Sequence, residues 1–160
     1  MNYDNVHISR WEEIPDFPLY IDQVVSIIEK SLSFLKNDNE SIITKTMINN
    51  YVKHKLVKAP NKKKYEKEQI ATFTLICILK SVFSLDEISK LIRLQQDHGE
   101  LSIFYNKFCD VFERVLKTNH LDSDLPDLYN KCILSTVYKI KVSNSLLNEE
   151  TMEEHTKKEK

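Results

Sequence analysis

From Leu19 to Leu35 the apolar residues Leu19, Tyr20, Val24, Ile27, Ile28, Leu32 and Leu35 follow three- and four-residue steps. That period predicts an amphipathic helix. Its lead-in, WEEIPDFP, holds two prolines and should lay Trp11 and Phe17 against the body, and the turn formers Lys36 to Glu40 should end it. A shorter helix fits Thr44 or Thr46 to Leu56, burying Ile48, Tyr51, Val52 and Leu56 while Thr46, Asn49, Asn50 and Lys53 face the other way. Pro60 should stop it, leaving Lys58 to Tyr65 as a basic loop. From Glu66 to Phe83, Ile70, Phe73, Leu75, Ile76, Cys77, Ile78, Leu79 and Val82 cover nearly the whole circumference, the pattern of a buried central helix. Phe83-Ser84-Leu85-Asp86-Glu87-Ile88 specifies the next start, with Ser84 as cap, Glu87 completing a capping box and Phe83 and Ile88 as a hydrophobic staple. That helix should run to about Asp97 and close at Gly99. Two more fit Glu100–Leu116 and Leu125–Val142, and the mixed-charge tail 148–160 has no period and reads as flexible.

Composition narrows what such a helical chain can do. Its 160 residues, 41% apolar, suffice for a core. Glycine occurs once, at Gly99, which excludes a Walker loop, a GxGxxG turn and a nucleophile elbow. Cys77, Cys109 and Cys132 lie singly in apolar runs and read as buried free thiols, and the five histidines are scattered, so no metal or cofactor is expected. Cys109 with His98 or His120 offers a nucleophile and a base, but no spacing assembles them; an enzyme is not expected and no catalytic residue is assigned. With neither a signal peptide nor a spanning apolar stretch, the expected location is cytoplasmic, away from membranes.

Charge adds the one local exception. The chain carries a formal net charge of -1, but the segments 1–40, 41–70, 71–100 and 101–160 carry -5, +6, -1 and -1. Thr44 to Tyr65, TKTMINNYVKHKLVKAPNKKKY, holds seven lysines, one histidine and no acidic residue. Because the composition is rich in Lys, Asn and Ile, as an A/T-rich genome produces, lysine abundance means little and its placement means more.

Tyr51, the turn Leu56-Val57-Lys58-Ala59-Pro60, the basic run Lys62-Lys63-Lys64-Tyr65 and Val82-Phe83-Ser84-Leu85-Asp86-Glu87-Ile88 stand in the order of a MerR-type winged helix-turn-helix, which the chain resembles. In that pattern they are the recognition helix, the turn after it, a wing closed by tyrosine and a long helix followed by a capped one. The strings LYIDQV, TKTMINNYVK, P-x-KKKY and LK-x-x-x-SLDEI resemble, more closely, the YkrK-like family of Bacillus and clostridial relatives, a domain of unknown function, over about residues 14–95. The chain departs from the MerR pattern at Lys55, where glycine is usual, at Asn49, where arginine is usual, in its long first connection and in a short wing without glycine.

The resemblance implies a mainly α fold: a MerR-like winged helix-turn-helix with a short basic wing, plus N- and C-terminal helices forming one helical domain. Residues 1–40 would be the lead-in and first helix, 41–98 the winged helix-turn-helix, 99–147 a C-terminal helical pair for core completion or dimerisation, and 148–160 the tail. It further implies a transcriptional regulator that binds double-stranded DNA, as a homodimer. Thr46, Asn49, Asn50 and Lys53 have the chemistry to contact bases, and Lys45, Lys55, Lys58, Lys62, Lys63 and Lys64 to neutralise phosphates. The alternative is a protein-interaction or small-molecule sensor module on the same scaffold without DNA binding.

Overall fold

The computed structural model describes residues 2–37 and 40–160. Its elements in chain order are β1 (Leu19–Tyr20), α1 (Ile21–Ser31), α2 (Lys45–Lys53), β2 (Lys64–Tyr65), α3 (Lys67–Leu79), α4 (Leu85–Gln95), α5 (Leu101–Thr118) and α6 (Asp127–Lys158). The protein is thus mainly helical, with one two-stranded sheet among the described residues. None of the helices is long and apolar enough to cross a membrane.

The central helix is α3, in which every residue from Gln69 to Leu79 is buried. It packs against α1, α5 and α6. On α5, Phe104, Phe108 and Phe112 follow one another at four-residue steps; Phe104 meets Tyr129 of α6 edge-on at 4.7 Å, and Phe112 lies 6.1 Å from Phe34. Cys77, Cys109 and Cys132 are buried free thiols within this core, and burial pushes the first two up to about 12 and raises the third, so all three stay protonated and unreactive.

Several boundaries differ from the periodicity. Leu19 and Tyr20 open no helix but pair antiparallel with Tyr65 and Lys64, a partner that lies more than forty residues away and leaves no local trace. α2 ends at Lys53, before Leu56 and well before Pro60, and α3 ends at Leu79. Of the turn run Lys36 to Glu40, Asp38 and Asn39 lie outside the described residues. α4 begins as its residues specify: Ser84 Oγ accepts from the Glu87 amide at 3.2 Å, and Glu87 Oε1 accepts from the Ser84 amide at 3.0 Å. Gly99 closes the following turn at φ 112°.

The C-terminal expectation is corrected more deeply. α6 runs unbroken from Asp127 to Lys158, through the tail that its mixed charges marked as flexible. A helix already nucleated on the core adds turns without a new nucleus. The tail also places Glu153 and Glu154 four residues before Lys157 and Lys158, the favourable order for such pairs and for the helix dipole.

The lead-in is corrected as well. Phe17 is 64% exposed, whereas Trp11 is half-buried with its amide donating to Asn106 Oδ1 at 2.8 Å. Three further bonds latch the segment: Ser9 donates its amide to Ser31 Oγ at 2.8 Å, Tyr105 donates its hydroxyl to the Ser9 carbonyl at 2.6 Å, and the Ile8 amide donates to Glu113 Oε1 at 2.6 Å.

Candidate nucleic-acid interface

Thr44 caps α2, accepting from the Met47 amide at 3.1 Å. From that start, Ile48 and Tyr51 turn into the core and Met47 and Val52 are half-buried. Thr46, Asn49, Asn50 and Lys53, predicted as base contacts, are all exposed.

The helix ends through its backbone. Lys55 has φ 61°, its amide donates to the Val52 carbonyl at 3.0 Å, and the Leu56 amide donates to the Tyr51 carbonyl at 2.9 Å. These two bonds form a Schellman turn, whose left-handed position is ordinarily glycine. Here lysine adopts the backbone that glycine adopts with less strain.

The same holds at the tip of the basic loop between Lys58 and Tyr65. Asn61 and Lys64 exchange two backbone hydrogen bonds, 3.1 and 2.9 Å, around Lys62 at φ 50° and Lys63 at φ 64°. Two consecutive positive φ values in a two-residue loop are the requirement of a type I′ hairpin turn, usually met by Asn-Gly. Asn119, by contrast, supplies the left-handed residue after α5, so the chain uses asparagine for this backbone elsewhere.

The base of this basic loop is held by two side chains. Tyr65 is buried and meets Phe73 of α3 edge-on at 5.5 Å. Gln69 is also buried; its amide nitrogen donates to the Lys58 and Ala59 carbonyls at 2.9 and 3.0 Å, and its oxygen accepts from the Glu66 amide at 2.7 Å. Neither composition nor period marks Gln69, because its importance lies in carbonyls ten and eleven residues upstream. Gln69→Leu removes three bonds and leaves two carbonyls poorly satisfied, so chemical denaturation should show a loss of about 2–3 kcal/mol. An unchanged midpoint would mean that water replaces the amide without cost.

Among the predicted phosphate contacts, Lys55, Lys58, Lys62 and Lys63 are exposed and have no ion pair among the described residues. Lys45 is paired with Asp22 in the first turn of α1. Lys64 is half-buried, its ammonium 4.9 Å from the ring centre of Tyr20. These contacts bring the start of α2 and β2 to the same end of α1. Three acidic residues of the first forty are engaged away from α2: Glu12 with Asn106, Glu13 with His7 and Asp16 with Lys67.

A family model described as a domain of unknown function, DUF1836, matches residues 9–108, which span β1 through the first half of α5. No curated protein and no solved structure matches the chain.

Proposed function

The chain belongs to the DUF1836 family, a domain of unknown function, and from that premise we propose that it is a DNA-binding transcriptional regulator of MerR-like winged helix-turn-helix form, acting as a homodimer. One observation carries the reading: three exposed lysines, Lys55, Lys62 and Lys63, occupy left-handed backbone that costs a side-chain-bearing residue free energy. Their ammonium groups have no ion pair among the described residues, and cations so placed would serve a polyanion well. The order of strand, helix, exposed polar helix, wing and long helix supports the fold type.

In this reading α2 enters the major groove. Asn49 and Asn50 suit adenine, Lys53 suits guanine, and Thr46 suits either edge. Lys55, Lys58, Lys62 and Lys63 neutralise phosphates, Lys45 exchanges Asp22 for a phosphate, and Lys64 adds charge at the wing base. Self-association is supported by α6, which leaves Tyr138, Val142, Leu146 and Met152 exposed.

Counterion release supplies the test. Five phosphates neutralised by each protomer of a dimer give log K against log[salt] a slope of about -9 on duplex from the gene's own upstream region. Light scattering on the same sample fixes the stoichiometry. A slope near zero, or no duplex binding at low salt, sinks the proposal; Asn50→Ala should relax preference at particular base pairs rather than weaken all sequences.

A further inference from the structure

A groove of about 740 Å³ opens between α2, the end of α3 and the second half of α6. Among the described residues, Lys36, Lys80 and Lys139 line it against one carboxylate, Glu40, and Phe34 and Leu147 give it an apolar side. A second groove of about 710 Å³, beside the wing, sets Lys58 and Lys64 against Glu66 and Glu68 and so has no charge preference. Charge therefore distinguishes the first.

Within it Lys80 is half-buried. Its ammonium donates to the Ile42 carbonyl at 2.5 Å and lies 3.6 Å from Met47 Sδ, and it has no ion pair among the described residues. An ammonium has three donors, and a carbonyl and a thioether satisfy them poorly; a partly desolvated cation with no counter-ion is costly. An incoming anion removes that cost.

We propose that this groove binds a small amphipathic organic anion, its acid group on Lys80, Lys36 and Lys139 and its apolar body on Phe34 and Leu147. The site also reaches DNA recognition, and this part rests on the function proposed above. Ile42 lies two residues before the Thr44 cap, Met47 is on α2, and Asn50 both lines the groove and is assigned to base contact. A ligand that draws Lys80 from Ile42 and Met47 loosens the hold on the start of α2, so anion and DNA oppose each other reciprocally.

Anilinonaphthalene sulfonate, an aromatic sulfonate that fluoresces on leaving water, is the probe, and neutral phenylnaphthylamine is its uncharged counterpart. The full chain should bind the sulfonate at least about tenfold more tightly than the neutral dye, the worth of one charge-assisted contact. Lys80→Met should weaken the sulfonate about tenfold and Lys80→Arg much less. Should Lys80→Met fail to fold, Lys36→Met with Lys139→Met changes only exposed side chains and should weaken the sulfonate at least about fivefold. Equal affinity for both dyes, or sulfonate binding unchanged in the double variant, overturns the site. Bound sulfonate should also lower duplex affinity, and an unchanged affinity overturns the coupling. If the protein binds no duplex at all, the dye titrations still decide the groove, so the two proposals fail separately.

Discussion

Replacing Arg10 with methionine is expected to cost about 3 kcal/mol of folding stability, near the lower bound for breaking a buried pair because the guanidinium keeps some contact with water. The Arg10 side chain is 17% exposed and holds Glu113 at 2.8 Å, Asp110 at 2.8 Å and the Ile8 carbonyl at 2.7 Å. Glu113, at 9% exposure, would keep only Lys117 at 3.7 Å as a cation beyond the partial reach of His7. Burial alone pushes the Glu113 carboxyl up, but the Arg10 hydrogen bond, the Ile8 amide and the charges of Arg10 and Lys117 hold it below the usual carboxylate range. Its folded value being depressed, its stabilising contribution is fully present above the unfolded carboxylate value and disappears as pH falls through the folded one. Without Arg10 that depression goes. The deficit of Arg10→Met is therefore largest at neutral pH and shrinks in acid, a dependence that a mere packing defect would not show. Against a typical margin of 5–15 kcal/mol, the loss should lower the melting temperature by roughly 10 °C. Adding Glu113→Gln should recover much of it, since the orphaned charge goes while the amide oxygen can still accept from the Ile8 amide. A double variant no more stable than Arg10→Met would refute the account.

The second large effect separates stability from affinity. Lys62→Asn with Lys63→Gly gives the hairpin the residues that a type I′ turn prefers, relieving strain at φ 50° and 64°. Chemical denaturation should show a gain of about 1–2 kcal/mol. Under the proposed function the same change removes two phosphate contacts per protomer. The salt slope should become shallower by about 2 per protomer, and dimer affinity near physiological salt should fall roughly 10²- to 10³-fold. A variant that is stabler and binds duplex as well as the parent would leave the strained lysines without a role in DNA contact. One that loses both stability and affinity would show that the turn is not strained in the way its backbone angles indicate.

The basic segment illustrates what local pattern can and cannot carry. Seven lysines between Thr44 and Tyr65 were visible as a block, and the helical period correctly put Ile48 and Tyr51 inward and Asn49, Asn50 and Lys53 outward. The stop, however, was assigned to Pro60, the strongest local breaker, whereas the backbone turns back five residues earlier at Lys55. Lysine carries no propensity signal for a left-handed residue, so a Schellman turn built on it is illegible to residue type. For the same reason Lys62 and Lys63 read as part of a basic loop, and two hydrogen bonds between Asn61 and Lys64 close it into a tight turn.

What the residues determined by themselves is what rests on interactions within one or two turns. The capped start at Ser84, the all-round apolar face of α3, the burial of three lone cysteines and the mainly helical class follow from period and capping chemistry, which operate between neighbours. Tertiary structure alone decided the rest. Leu19 and Tyr20 became a strand because β2 was there to pair with them, Gln69 became the support of the basic loop because two carbonyls faced it, and Arg10 found Glu113 across 103 residues of chain. In each case the partner that satisfies a backbone or a buried charge is distant in sequence, and a group whose free energy is set by such a partner carries no mark of it in its own neighbourhood.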